Sequence, residues 1–500
     1  MENILNRILL FFKKENFVYL SGMTVLAVIA CFLRIGRGSI SLDEVSTIGI
    51  SRNWQVMLNT LWTQEGNMWL YSFLMYFWLK LGTSEFMLRS LSAIFAVLTV
   101  PAFYKLAQET NGNKIAKIAT PLFILNFYFI FYAQMARGYS LTLLMVTLSG
   151  LYFIKFVKNT SSNKYLFFYA IFTVLAIYSH LLAGLVIFSG YIVLLLIPKR
   201  IPWKKIVLAT LGIFIFLLPL ISSPALRGHQ LDWLQKPPFI HLPMGVVMLG
   251  GDSVLFTLLG SLVIVFLLWK KRNIIFAKNM ERFSLFWLVL WSGFPILSGF
   301  IFSWIIKPIY EPESFNICLP AYILLISVGL EQIKRKWLYR VIFILLILFS
   351  VFRLSAWYLG QSYQQLVMEN NDSRNWKQAA EYVASHDKSK DVIIFYAYYI
   401  RPPFEYYFDK INKNSLKLIE ISKDKYALGG GTALPEPNIK LLDDLHTLHQ
   451  RVWLILSYND FSWLGRRMQW QETERELNKY YIVISDRKLA QIEIKLFERK

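Results

Sequence analysis

The feature that most constrains the fold is a series of twelve apolar runs, most of them near the length that crosses a lipid bilayer. The runs cover residues 17–34, 69–81, 88–106, 118–132, 139–157, 165–180, 181–197, 206–221, 254–269, 284–305, 317–330 and 341–358. Hydrophobic residues make up 55% of the 500-residue chain and charged residues 17%, against about 45–50% and about 25% in soluble domains. This balance excludes a soluble enzyme, a disordered chain and a disulfide scaffold. It predicts an integral membrane protein.

The distribution of basic residues predicts how the chain crosses the membrane. Lysine and arginine fall in short clusters between the apolar runs, as they do in cytoplasmic loops, so the net charge of +21 is assigned to topology and not to nucleic-acid binding. The run at 69–81 is short for a span and rich in aromatic residues, as in helices that lie flat in the membrane interface. If it does not span, the other eleven helices place every basic cluster on one side. No small-residue cleavage site follows the first run, so it is interpreted as an uncleaved helix.

The predicted fold class is therefore an all-α polytopic membrane domain over residues 1–359, with about eleven transmembrane helices plus interfacial helices. The N terminus is expected in the cytoplasm of a cell (plasma) membrane protein. Residues 360–500 change composition abruptly and alternate helix-like stretches (376–385, 461–479) with strand-like ones (392–399, 451–457, 481–485, 491–497). Such alternation is typical of a small α/β domain, which the topology places outside the cell.

Several classes of cofactor lack their sequence signatures. There is no Walker loop, no GxGxxG, no HExxH and no GxSxG in a credible context, so nucleotide and redox cofactors are not expected. The two cysteines, Cys31 and Cys318, lie in or beside apolar runs without metal-ligand spacing.

Three acidic residues lie on the predicted outer side of the membrane. Asp43 and Glu44 follow the first span in Ser-Leu-Asp-Glu-Val-Ser. Adjacent carboxylates point in different directions on a helix, so this pair suits one base beside one orienting or metal-binding group; the alternative is a solvated loop. Glu65 comes directly before the 69–81 run, where a surface role is equally open. Acids this close to a membrane face are costly unless they are used.

Basic residues reach the same side. Arg137, in the outward turn between two spans, offers a fork of donors suited to a phosphate, or else anchors the interface. Arg89 begins a span and is a second phosphate candidate or a snorkelling anchor. His180 ends an apolar run and is either a ligand or a hydrogen-bonded structural residue. Further polar residues occur in the outer loops: Arg227, His229, Asp232, Lys236, His241, Glu311 and Glu313.

These residues stand in motifs that resemble the GT-C glycosyltransferases of the protein-mannosyltransferase and aminoarabinose-transferase type, in the bacterial branch called glycosyltransferase family 39-like. The resemblance runs through roughly the first 200 residues. Its motifs are Leu-Asp-Glu at 42–44, Glu-Gly-Asn-Met-Trp-Leu-Tyr at 65–71, the segment 84–101, Tyr-Ala-Gln-Met-Ala-Arg-Gly-Tyr-Ser-Leu at 132–141, Tyr-Ser-His at 178–180, and Asn-Trp-Lys-Gln-Ala-Ala at 375–380. Their order and sidedness together make the resemblance specific.

The resemblance implies inverting transfer of a monosaccharide from a polyprenyl-phosphate donor to an envelope glycan, lipid or protein acceptor on the extracytoplasmic face. It implies Asp43 as the base on the acceptor hydroxyl, with Glu44 beside it, and Glu65 as a metal-binding glutamate. Arg137, His180 and Arg89 would hold the lipid phosphate, with His180 alternatively on a divalent metal ion. A leaving phosphate needs charge stabilisation, from arginine or a divalent ion, more than it needs a proton.

The sequence also departs from that family. Met68-Trp69 stands where most relatives have a Pro-Pro pair, and no arginine occurs between Lys307 and Glu331 to form a second phosphate clamp. A transporter or flippase of a lipid-linked sugar is the main alternative, and a catalytically inactive scaffold is a second. A transporter is expected to carry charged or broken segments at mid-membrane, whereas here the polar residues gather at the outer ends of the runs.

Overall fold

The computed structural model of the protein describes residues 15–196, 201–227, 234, 236–273, 280–360, 375–388, 391–396, 400–411, 417–420, 439–457, 470–489 and 492–500. These residues form two compact units. The described parts of Met1–Gly36, Ser51–Arg227 and Lys236–Glu369 make the first unit, and those of Arg37–Ile50, Gly228–Gln235 and Asn370–Lys500 make the second.

The chain is helical as far as residue 360. Its α-helices are α1 (Glu15–Phe32), α2 (Leu42–Ser51), α3 (Trp54–Thr63), α4 (Trp69–Trp78), α5 (Glu85–Asn111), α6 (Asn113–Ile124), α7 (Phe127–Ala133), α8 (Tyr139–Lys158), α9 (Asn163–Ser179), α10 (Ala183–Leu196), α11 (Trp203–Ser222), α12 (His241–Leu249), α13 (Val254–Lys270), α14 (Met280–Ile305), α15 (Leu319–Glu331) and α16 (Lys336–Leu359). Short 3₁₀ helices cover Pro224–Arg227 and Pro312–Cys318.

The membrane-protein prediction is confirmed by the length and apolarity of these helices. In the described part of the chain, six helices are long and apolar enough to cross a bilayer, and eight if each of two bent pairs is counted as one span. Two shorter apolar helices, Asn16–Phe32 and Ala183–Leu195, add to them. The protein is therefore a multi-pass membrane protein, and the number of eleven spans stays a prediction.

The two bent pairs meet at their breaks. Helices α6 and α7 meet at 59°, and α12 and α13 at 88°. Asn126 caps α7 by accepting hydrogen bonds from the backbone of Tyr128 and Phe129, and its Nδ2 donates to the Leu249 carbonyl at the end of α12 (2.9 Å). Gly251 adopts a φ of +72°, and a Cβ there would lie 3.0 Å from the Phe127 backbone nitrogen. Only a glycine lets the two breaks approach this closely.

Helix α4 agrees with the predicted interfacial helix. It has ten residues, about 15 Å at 1.5 Å per residue, or half of a hydrocarbon core of about 30 Å. It begins after Met68, whose φ of 57° turns the chain sharply. The Trp78 indole donates to the Met87 carbonyl at 2.8 Å, which fixes the end of α4 against the start of α5.

The second unit contains the predicted α/β domain. Its described elements are α17 (Trp376–His386), β1 (Val392–Phe395), α18 (Arg401–Ile411), β2 (Lys417–Glu420), α19 (Ile439–Leu448), β3 (Arg451–Ser457), α20 (Trp470–Tyr480), β4 (Tyr481–Leu489) and β5 (Ile492–Arg499). The strands form one sheet in the order β2-β1-β3-β5-β4, in which β1 pairs parallel with β2 and β3, and β5 pairs antiparallel with β3 and β4. Parts of the predicted 392–399 and 461–479 elements lie outside the described residues.

Residues 37–50 belong to the same unit as the tail. The Tyr407 hydroxyl on α18 accepts a hydrogen bond from the Ile40 backbone nitrogen at 2.8 Å. The Ser39 hydroxyl accepts from the Lys377 backbone nitrogen at the start of α17 (3.1 Å). The segment between α1 and α4 is thus divided: residues 37–50 belong with the C-terminal residues, and the residues from Ser51 onward belong with the membrane helices.

Candidate functional site

The acidic pair at the start of α2 is split between two roles by local hydrogen bonding. Glu44 is buried, and its Oε2 accepts from the Ser41 backbone nitrogen at 2.9 Å, while the Ser41 hydroxyl accepts from the Glu44 backbone nitrogen at 3.3 Å. These reciprocal bonds are a capping box, which satisfies two donors at a helix start. Glu44 therefore positions the helix that carries Asp43.

Asp43 is placed differently from its neighbour. Its side chain is half-buried, and no residue in the described ranges hydrogen-bonds its carboxylate. The Thr47 hydroxyl donates to its backbone carbonyl at 3.1 Å. A carboxylate fixed on a capped helix with both oxygens uncommitted can take a proton. Of the two acids, Asp43 suits a base.

Within the first unit, Glu65 lies in the turn between α3 and α4. The Glu65 carbonyl accepts from the Trp69 indole at 2.9 Å, and its side chain is half-buried. The neighbouring Gly66 packs so closely that a Cβ would lie 2.7 Å from the Leu226 side chain. The turn is therefore fixed by its backbone and by close packing.

His180, in the turn after α9, is held at both ring nitrogens. Nε2 lies 3.1 Å from Asn67 Nδ2 and 3.2 Å from the Ser314 hydroxyl, and Nδ1 accepts from the Leu182 backbone nitrogen at 3.2 Å. Burial, and then the charge of Arg137, lower the pKa of His180 to about 3, so its ring is neutral at physiological pH. This geometry favours the structural interpretation of His180, and its phosphate or metal role stays a prediction.

The backbone of Arg137 is fixed by a hydrogen bond from helix α5. The Ser92 hydroxyl on α5 donates to the Arg137 carbonyl at 3.1 Å, and Ser92 is in turn 2.7 Å from the Tyr71 hydroxyl on α4. The guanidinium lies 5.9 Å from the Tyr139 ring centroid, and that ring lies 5.9 Å from the His180 ring, measured between centroids. Arg137 and His180 are therefore both near Tyr139, and their role at a phosphate stays a prediction.

The segment before α15 brings further polar groups to Tyr139 and its neighbours. The Tyr139 hydroxyl donates to Glu313 Oε2 at 3.0 Å, and the Tyr128 hydroxyl lies 2.6 Å from the Pro312 carbonyl. Asn316 Nδ2 donates to the Tyr139 carbonyl at 3.1 Å. Asn67, Tyr139, Ser314 and Asn316 were not among the predicted residues. Asn67 and Tyr139 do lie in the quoted motifs at 65–71 and 132–141, and Ser314 and Asn316 follow the named residues Glu311 and Glu313. We call the set Asn67, Tyr128, Tyr132, Arg137, Tyr139, His180, Glu313, Ser314 and Asn316 the polar cluster.

Arg89 is a fully buried residue of α5. It is 2% exposed, and its Nη1 donates to the Ile35 carbonyl just after α1 at 3.2 Å. A buried arginine that bonds a carbonyl beyond a helix end stabilises that end. The snorkelling alternative does not describe this residue, since its head is buried, and its phosphate role stays a prediction.

The described residues do not fit a divalent metal ion at the predicted ligands. Across the ranges that the structure describes, no three His, Cys, Asp or Glu side chains come together as a ligand group. A metal on His180 would have to displace Asn67 or Leu182 from its ring. We therefore derive no chemical step through a metal.

Two kinds of comparison by sequence give no match: no protein-family model and no curated protein is similar. Comparison with solved structures gives clear matches. ArnT from Cupriavidus metallidurans in the apo state aligns with a TM-score of 0.62 at 12% identity, over 96% of this chain and 97% of that chain. The same protein bound to undecaprenyl phosphate gives a TM-score of 0.61 at 12% identity, with the same coverage of both chains.

The archaeal oligosaccharyltransferase AglB from Archaeoglobus fulgidus, in complex with an inhibitory peptide and a dolichol-phosphate, gives a TM-score of 0.54 at 10% identity. That match covers 98% of this chain and 75% of AglB. ArnT and AglB are GT-C glycosyltransferases. The expected fold, a GT-C membrane domain with a C-terminal α/β part, is thereby confirmed.

Proposed function

We propose that this protein is a glycosyltransferase that moves a monosaccharide from a polyprenyl-phosphate donor to an acceptor of the cell envelope, on the extracytoplasmic face of the plasma membrane. The observation that carries the proposal is the fold, which matches ArnT over 96% of this chain and 97% of that one. One ArnT structure is bound to undecaprenyl phosphate, which supports a lipid phosphate as the carrier here.

Two residues carry the proposed chemistry. Asp43 removes the proton from the acceptor hydroxyl as its oxygen attacks the anomeric carbon of the sugar. The bond from that carbon to the phosphate oxygen breaks on the opposite face, and the electron pair leaves with the polyprenyl phosphate. Inversion follows from this in-line displacement. Arg137 stabilises the charge of the departing phosphate, because arginine binds phosphate oxygens through two donors at once.

The transporter or flippase alternative has an observation in its favour. Two helices are broken within the apolar region, and a buried ion pair joins Asp252, beside one break, to Arg353. Broken helices and buried charges at membrane depth also occur in transporters. Flipping leaves the sugar on its lipid, whereas transfer removes it, so one assay separates the two functions.

The test is sugar transfer by the purified protein. Undecaprenyl-phosphate sugars serve as donors and a membrane extract supplies acceptors, for the wild type and for Asp43→Asn. We expect Asp43→Asn to lose about 10²-fold or more of the rate with an unchanged unfolding midpoint. The matched control is Asp444→Asn, which neutralises an exposed carboxylate of the second unit.

Equal transfer by the wild type and Asp43→Asn would refute Asp43 as the base. Binding of the donors without any release of sugar would refute the transferase and favour the flippase. A parallel reaction with a chelator measures metal dependence.

A further inference from the structure

Tyr132 is a buried tyrosine of the polar cluster whose hydroxyl has no protein partner. The residue is 2% exposed, and its hydroxyl forms no hydrogen bond with any residue in the ranges that the structure describes. Burying an unpaired hydroxyl is unfavourable, and such groups in proteins call for an explanation. One explanation is a bound molecule that supplies the missing bond.

The surroundings of Tyr132 show where such a molecule would bind. Its ring lies 5.1 Å from that of Tyr128 and 4.5 Å from that of Tyr139, measured between centroids. The Tyr139 hydroxyl donates to Glu313 Oε2 at 3.0 Å. Tyr132 therefore packs against the tyrosine whose hydroxyl binds the Glu313 carboxylate.

The backbone that carries Glu313 is anchored by Tyr128. The Tyr128 hydroxyl reaches the Pro312 carbonyl at 2.6 Å and the Glu313 carbonyl at 3.0 Å, which fixes the 3₁₀ helix that begins at Pro312. On that helix Asn316 is 2% exposed, and its Oδ1 also has no partner within the described chain. A second unpaired acceptor thus lies three residues from Glu313, on a segment that Tyr128 anchors.

These groups match the chemistry of a sugar. Carboxylate and amide oxygens accept from hydroxyls, a phenol both donates and accepts, and aromatic rings cover apolar C–H surface. Arg137 lies beside them, 5.9 Å from the Tyr139 ring centroid, where it is proposed to hold the lipid phosphate. A sugar bound here would be next to its own phosphate.

We propose that Tyr132 and Glu313 bind the hydroxyl groups of the sugar being transferred, and so determine which sugar the protein accepts. The inference rests on the proposed function, because it takes Arg137 as the phosphate site. It adds to that function a sugar-binding site and the two residues that recognise the sugar.

The experiment measures binding without turnover. Dissociation constants of the purified full-length protein are measured by native mass spectrometry for undecaprenyl phosphate and for its glucosyl, galactosyl and mannosyl derivatives. The variants are Tyr132→Phe and Glu313→Gln. Matched controls are Tyr104→Phe, whose buried hydroxyl bonds Asn113 at 2.6 Å, and Glu331→Gln, whose carboxylate pairs with Lys114 at 3.3 Å.

We expect the wild type to prefer one sugar-bearing lipid over bare undecaprenyl phosphate. Each of the two variants should weaken binding of that sugar-bearing lipid about 10-fold or more, as loss of a hydrogen bond involving a charged group does. Binding of the bare lipid should not change. Tyr132→Phe should also keep or raise the unfolding midpoint, because it removes a buried hydroxyl that lacks a partner. A purely structural tyrosine would instead lower it.

Three outcomes would overturn the inference. The variants could weaken both lipids equally, they could weaken neither, or the wild type could bind the sugar-bearing lipids no better than the bare lipid. Wild-type protein that binds none of the lipids would instead refute the proposed function itself. The two failures are therefore distinguishable.

Discussion

The buried ion pair between Asp252 and Arg353 gives the sharpest prediction about stability. Asp252 precedes α13, and Arg353 lies in α16. Arg353 Nη2 donates to Asp252 Oδ2 at 3.1 Å, and the two side chains are 5% and 1% exposed. The guanidinium also lies 3.7 Å from the Phe127 ring centroid at the other break. The pair therefore joins three segments of the first unit.

The size of the effect follows from burial. Asp252→Asn leaves Arg353 buried without its counter-charge, and we expect a loss of about 3 kcal/mol in the free energy of unfolding. Asparagine is chosen because residue 252 has a φ of 56°, which Asp and Asn adopt more readily than most residues. Arg353→Met also loses the contact with the ring, so we expect about 4 kcal/mol. The double variant removes both charges and should cost at least about 2 kcal/mol less than the sum.

The assay is reversible unfolding in mixed micelles, titrated with sodium dodecyl sulfate and followed by tryptophan fluorescence. A cycle on the exposed pair Lys271–Glu281, with 2.6 Å between its charged atoms, serves as the control and should give about 1 kcal/mol or less. Additive losses at Asp252 and Arg353, within about 0.5 kcal/mol, would refute the reasoning that burial makes this pair interdependent.

Two further predictions concern residues of the candidate site. Since the folded pKa of His180 lies at about 3, below its unfolded value of about 6.5, the unfolded chain takes up a proton first as the pH falls. Lowering the pH from 6.5 to 5 should therefore cost about 2 kcal/mol of stability, and His180→Gln should show a pH dependence weaker by that amount in thermal unfolding. Glu44→Ala should destabilise the fold by about 0.5–2 kcal/mol by removing the capping-box acceptor, whereas Glu44→Gln, which can still accept from Ser41, should lie within about 0.5 kcal/mol of the wild type. Equal losses in both Glu44 variants would contradict the capping role.

Much of the fold can be predicted from the sequence, because buried strands and helices leave a local pattern of apolar residues. The predicted strand at 451–457 matches β3 residue for residue, since a continuous apolar run between polar flanks describes a central strand buried on both faces. The predicted helix at 376–385 differs from α17 by one residue at its end. Changes of chain direction are harder to predict: the apolar run at 118–132 was predicted as one segment, yet α6 ends at Ile124 and Asn126 caps the next helix.

In the candidate site, local hydrogen bonds can be predicted from the sequence, but partners far apart along the chain cannot. The Ser41-Leu42-Asp43-Glu44 motif contains a capping box that distinguishes the two acids, and this spacing is visible in the sequence. The contacts of His180 are different in kind, since Asn67 and Ser314 lie 113 and 134 residues away along the chain. No local pattern encodes such pairs, so packing alone decides that the imidazole is held at both nitrogens.

The same distinction explains how the chain keeps the fold of ArnT at 12% identity. Helix α11 exposes Phe216, Ile215 and Leu208 by 70%, 60% and 59%, and in a membrane protein such surfaces need only be apolar. Any apolar side chain serves there, so these positions can change without loss of the fold. The break at Asn126 and Gly251 is different, because an amide bond to Leu249 and a close backbone approach permit few substitutions. Identity over the whole chain averages over both kinds of position. A low identity over the whole chain is therefore compatible with a shared fold.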